Sequence, residues 1–169
     1  IYVYAYSAGT ALPYLTHTID GNTIYWSEGH SAEHTYHGIY YYSYYSRSTT
    51  QISNNEIHNG SMGVYCYEEY SSSSYAFNLL FSGNNIHDNN SHGIQCYEND
   101  TGKLTTEFRG NTISNNNGDG ILVHRHTGRA NVTTANLYLN TLTSNAGRGA
   151  ALVTTSAVQA LYNDINGNS

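Results

Sequence analysis

Short stretches of alternating apolar and polar residues recur along this chain, separated by clusters of Asn, Gly and Ser. Period-two alternation over three to seven residues, bounded by turn formers, predicts strands rather than helices. The stretches also repeat. An Asn stands two residues before an aliphatic at Asn22/Ile24, Asn55/Ile57, Asn84/Ile86, Asn111/Ile113, Asn140/Leu142 and Asn163/Ile165, at intervals of 33, 29, 27, 29 and 23 residues. Three residues upstream of these Asn stand Ile19, Ile52, Phe81, Phe108, Leu137 and Ala160. Downstream, a Gly and a small aliphatic follow at Gly38-Ile39, Gly63-Val64, Gly93-Ile94, Gly120-Ile121 and Gly149-Ala150, the first delayed by an inserted loop of about seven residues. Each repeat thus holds three short strand-like segments, a solenoid signal. The expected architecture is one all-β domain over residues 1–169, about six turns of three short strands, with no obvious end caps.

The pattern, roughly N-x-I-x-x-N-x-x-x-G-I, resembles the repeat of right-handed parallel β-helix proteins. These include pectate-lyase-type enzymes, the periplasmic copper-maturation family and many surface proteins. The resemblance spans nearly the whole chain and implies a fold; the superfold hosts many chemistries. Stacking explains the Asn directly, because equivalent residues of neighbouring turns lie about 4.8 Å apart and their amides can hydrogen-bond in a ladder. Asn22, Asn55, Asn84, Asn111, Asn140 and Asn163 form one expected ladder, and a second is expected near Asn59, Asn89, Asn116, Asn145 and Asn168.

Alternation after each Gly sends Ile39, Tyr41, Val64, Cys66, Ile94, Cys96, Ile121 and Val123 inward. It sends Tyr40, Tyr42, Tyr65, Tyr67, Tyr97 and His124 outward, and the chain start fits the same template with Tyr2 and Tyr4 outside. Fifteen of the 18 Tyr precede residue 76, so one outer face is a tyrosine field densest in the first half. Such a face predicts a contact surface, lateral or for glycans, through Tyr2, Tyr4, Tyr40, Tyr42, Tyr65, Tyr67 and Tyr97. Cys66 and Cys96 fall at one inward position of adjacent turns and are expected as buried free thiols.

Composition fits this picture. Asn, Ser, Thr and Gly make 73 of 169 residues, only 11% are charged, and the net charge is −6. Six basic residues against twelve acidic ones leave no footprint for nucleic acid, and no apolar run reaches a membrane span. Long helices are not expected from so much Asn and Gly.

Catalytic patterns are incomplete. Asp119, in Asn116-Asn117-Gly118-Asp119-Gly120-Ile121, is similar to the Asn-Thr-Asp-Gly strand of polygalacturonases, but the paired Asp of the next turn is missing and so is Arg-Ile-Lys. The same corner position carries His37, Met62, His92 and Arg148 in other turns. Glu68, Glu69, Glu98 and Asp100 are grouped, and Arg125 and Arg129 one turn on are expected to pair with them. The inserted loop offers Glu28, His30, Glu33, His34 and His37; His30, His34 and His37 are the metal candidates, without a specific ligand spacing. His58 and His87 are expected to stack. No cofactor and no enzyme activity are predicted.

The remaining expectation concerns the two ends of the coil. Uncapped solenoid ends expose strand edges and an apolar cross-section. Complementary ends favour head-to-tail stacking through Ile1, Tyr2, Val3, Tyr4, Ile165, Asn168 and Ser169, which does not close and builds a filament. The preferred reading is therefore a secreted structural subunit of an extracellular or cell-surface filament, whose main partner is itself. A carbohydrate-binding or carbohydrate-active β-helix is the alternative, and a metal-handling periplasmic β-helix the third.

Overall fold

The structure, a computed structural model, describes residues 1–6, 14–26, 36–44, 46–69, 76–99, 102–126, 133–153 and 157–169. These residues form strands and turns without helix, wound into a coil with three parallel sheets of six strands each. Strands are numbered in chain order. The first sheet stacks β1 (Tyr2–Tyr6), β4 (His37–Tyr44), β7 (Met62–Glu69), β10 (Ile94–Glu98), β13 (Ile121–Arg125) and β16 (Ala150–Leu152). The second stacks β2 (Tyr14–Asp20), β5 (Arg47–Ser53), β8 (Ala76–Ser82), β11 (Lys103–Arg109), β14 (Thr133–Tyr138) and β17 (Ala157–Leu161). The third, of three-residue strands, stacks β3 (Thr23–Tyr25), β6 (Glu56–His58), β9 (Asn85–His87), β12 (Thr112–Ser114), β15 (Thr141–Thr143) and β18 (Asp164–Asn166). The expected six turns correspond to these six levels, of which only the inner four are covered on both sides.

Register follows the repeat residue by residue. Ile52, Phe81, Phe108 and Leu137 form one buried column, as do Ile57, Ile86, Ile113 and Leu142, and Ile39, Val64, Ile94 and Ile121. Each such side chain contributes about 1.5–3 kcal/mol on burial. Phe81 and Phe108 stack flat, centroids 4.9 Å apart.

Two corners separate the third sheet from its neighbours, and the same device builds both. A residue in the left-handed region precedes a buried Asn. At the first corner these are Gly21, Asn54, Gly83, Gly110, Leu139 and Tyr162, with φ of 54–67°. Each following Asn except Asn163 then donates its backbone N–H and Nδ2 to the Oδ1 of the Asn one level on. Asn84 does so to Asn111 at 3.1 and 2.9 Å, and Asn111 to Asn140 at 3.0 and 2.9 Å. The second ladder runs Asn89, Asn116, Asn145, Asn168. Its expected first member, Asn59, is displaced: Asn59 takes the left-handed position (φ 61°), and the backbone N–H of Gly60 donates to Asn89 Oδ1 instead. A third column, Gly38, Gly63, Gly93, Gly120 and Gly149, lets backbones approach closely. A Cβ on Gly93 would lie 2.5 Å from Ile113 Cγ2 and 2.7 Å from the Gly120 carbonyl oxygen.

Candidate functional site

Because successive levels are in register, outward side chains of the first sheet meet their equivalents above and below. Tyr2 stacks on Tyr40 at 5.2 Å, and Tyr40 lies 5.4 Å from Tyr65. A longer column runs Tyr4, Tyr42, Tyr67, Tyr97 and His124, at 5.2, 5.4, 5.5 and 4.3 Å. Tyr6 and Tyr44 begin a third at 5.8 Å. All seven tyrosines expected on this face are on it. The rings cover one another, so Tyr40, Tyr42, Tyr65, Tyr67 and Tyr97 are half-buried, while Tyr2 and Tyr4 on the first level are exposed. Tyr41 points inward, wholly buried, and its hydroxyl meets His17 Nδ1 at 2.9 Å.

Four phenols of the face, those of Tyr40, Tyr42, Tyr65 and Tyr67, are held more firmly protonated than usual. Burial, then the nearby Glu69 carboxylate and neighbouring rings, push the Tyr67 phenol up to about 12. Tyr42 is raised by burial and by its hydrogen bond to Glu69, to which its hydroxyl donates. Tyr65 is raised by burial and adjacent phenols. The result is an uncharged aromatic wall with a hydroxyl fringe.

Beneath it, the inward column after the cysteines is acidic. Glu68 lies in register with Glu98, and Glu98 with Arg125. Both carboxylates are 1% exposed, which grouping along the sequence did not reveal. Asp100 and Arg129 lie outside the described residues. Cys66 and Cys96 are adjacent, buried and free, and burial raises the Cys96 thiol.

Asp119 is held by Arg148 of the next level. The Arg148 backbone N–H and Nε donate to Oδ1 at 2.8 and 3.1 Å, and Nη2 to Oδ2 at 3.1 Å. Burial opposes ionisation of Asp119, but the Arg148 contacts outweigh it and hold the carboxyl below its usual range. Its backbone N–H donates to His92 Nδ1 at 2.9 Å. Burial lowers the His92 pKa. The corner thus works as a clamp between levels. His58 and His87 stack at 4.9 Å as expected, with His87 Nδ1 2.6 Å from Asp88 Oδ2.

Among the described residues no three His, Cys, Asp or Glu side chains group to hold a metal. Of the metal candidates, His30 and His34 lie outside the described residues. His37 packs between Tyr40 and Tyr65, at 5.5 and 5.1 Å.

The outer levels carry the residues expected at the ends. Ile165 is half exposed, Ile1 and Tyr2 are exposed, and Val3 packs on the core. Asn168 receives Asn145, and the Ser169 N–H donates to the Gly147 carbonyl at 3.0 Å. The description "Right handed beta helix region" belongs to the family model that matches residues 1–169. The chain belongs to the right-handed beta helix family. This beta helix matches no curated protein and no solved structure. Membership accounts for the winding and the Asn ladders, and brings no activity with it.

Proposed function

We propose that this right-handed beta helix is a structural, non-catalytic protein of the extracellular space or cell surface. Copies stack head to tail, leaving the tyrosine face for lateral or glycan contacts. The observation that carries the reading is the polarity of the first ladder. Every described Asn but Asn163 donates onward, so the two outer members differ: no described donor reaches Asn22 Oδ1, and no described acceptor receives the Asn163 backbone N–H. One end offers an acceptor and the other a donor, which is the complementarity an added level needs.

The apolar surface supports it. Among the described residues, the exposed large hydrophobic side chains concentrate on the outer levels. Ile1, Tyr2, Tyr4, Tyr6, Tyr14 and Tyr25 lie on the first, and Val153, Val158, Leu161, Tyr162 and Ile165 on the last. A further level, supplied by a longer polypeptide or by a second copy, would cover them. The non-catalytic part rests on Asp119, whose two oxygens are already taken by Arg148.

Sedimentation velocity of the 169-residue chain tests the proposal. Growing rods are expected as concentration rises, with fibre diffraction at ~4.8 Å and a ~29 Å axial repeat from six levels. Ile165→Arg should abolish growth and leave the far-ultraviolet circular dichroism unchanged. A chain that stays monomeric at high concentration, or rods indifferent to Ile165→Arg, would overturn it. Glycan-array binding lost in Tyr67→Ala would support the glycan role of the face.

A further inference from the structure

Beside the tyrosine columns the first three levels form an open cleft of about 560 Å3, within the usual range for small-ligand sites. Its walls are Trp26 and Tyr36, rings 4.7 Å apart, and His37, Tyr2, Tyr40 and Tyr65 of the first sheet. The loop joining Trp26 to Tyr36 lies outside the described residues and forms no part of the site. No Lys, Arg, Asp or Glu lines the cleft among the described residues. Burial lowers the His37 pKa, which keeps its ring neutral at pH 7. Negative charge lies one ring away: Tyr42, 6.4 Å from Tyr40, donates its hydroxyl to the Glu69 carboxylate, and the chain carries a net −6. The Ile1 amine at the edge is tied to the Gly38 carbonyl at 2.7 Å, and its burial favours the uncharged form.

We propose that this cleft binds a small quaternary ammonium group, a trimethylammonium of the choline type. Aromatic faces attract a cation through their quadrupoles, and the attraction grows when water is excluded. A primary ammonium is strongly hydrated, and the side-chain acceptors of the described walls are phenol oxygens and the His37 ring, with no carboxylate among them. A methylated cation needs no acceptor, because its positive charge is spread over an apolar shell that packs on rings. Among the described residues no Lys or Arg lines the walls to pair with an anion, and a sugar finds few directional polar groups beyond the phenols and His37. Ile1 and Tyr2 line the cleft and also belong to the proposed stacking surface, so choline binding is measured in the Ile165→Arg background, where the chain is expected to stay unstacked.

Trp26 is the only tryptophan of the chain, so its fluorescence reports on this cleft alone. Titration with choline or tetramethylammonium should give a saturable change that potassium chloride at equal ionic strength does not. The neutral isostere 3,3-dimethylbutan-1-ol should bind about tenfold or more weakly. Tyr65→Leu and, separately, Tyr36→Leu should weaken choline to a similar degree with an unchanged circular dichroism spectrum. Phosphatidylcholine vesicles that co-sediment with the protein and are displaced by choline would assign a lipid headgroup as the source. Choline binding without vesicle binding would assign a soluble ligand. The proposal falls if the isostere matches choline, if glucose binds while choline is silent, or if the salt control reproduces the signal.

Discussion

Removal of one amide from the middle of the first ladder should be far more damaging than its size implies. Asn111 is 1% exposed and serves both neighbours. Its Oδ1 receives the backbone N–H and Nδ2 of Asn84 at 3.1 and 2.9 Å, and its Nδ2 donates to Asn140 Oδ1 at 2.9 Å and to the Phe81 carbonyl at 3.0 Å. In Asn111→Ala, Asn84 Nδ2 keeps the Ile52 carbonyl at 2.8 Å, but the buried Asn84 backbone N–H loses its acceptor and the Phe81 carbonyl a donor. A buried group left unsatisfied costs about 1–3 kcal/mol, so about 2–6 kcal/mol is expected for the two groups in the variant. Asn163→Ala removes the same side chain on the outer level, where water replaces the lost partners at concentrations that keep the chain unstacked, and about 1 kcal/mol or less is expected. Asn111→Asp is the third arm. It keeps an acceptor for Asn84 but sets carboxylate oxygens against the Phe81 and Asn140 oxygens, so its penalty should shrink as acid protonates it. Urea unfolding followed by far-ultraviolet circular dichroism measures all three. Equal costs for Asn111→Ala and Asn163→Ala would show that the inner ladder is not what satisfies these backbone groups, and the reasoning would fail.

The glycine column makes a sharper steric prediction. Gly93→Ala forces a Cβ to 2.5 Å from Ile113 Cγ2 and 2.7 Å from the Gly120 carbonyl, so thermal unfolding should report a loss of about 3 kcal/mol, near the upper end for overpacking. Stability should also fall on mild acidification. Burial lowers the pKa of His17, His37, His92 and His124 below the ordinary 6.5, so the unfolded chain takes up protons first. Their contribution is fully present above pH 6.5 and is lost as pH falls from there through the folded-state values. A melting temperature unchanged between pH 7.5 and 5 would contradict it.

What was legible in the sequence was whatever the repeat duplicates. Asn, Gly and the inward aliphatics recur because each level meets the same neighbours as the last, so a single rule of spacing recovers sheets, register and the tyrosine face. Asn59 shows the limit of that rule. Adjacent Asn59 and Gly60 both suit a corner, and only the backbone turn decides which holds the left-handed position. Trp26 and Tyr36 were illegible for a different reason: they flank the one insertion, where periodicity gives no register, and their ring pair forms only once the chain has returned.

The sequence by itself therefore determined the architecture, since a parallel stack turns a repeated residue into a column without any further information. The tertiary structure decided the rest. It showed that Glu68 and Glu98 are buried, that Arg148 occupies both oxygens of Asp119, and that the first coils open into an aromatic cleft. These are relations between side chains on different levels or across a corner. They depend on angles and burial, which spacing along a chain does not encode.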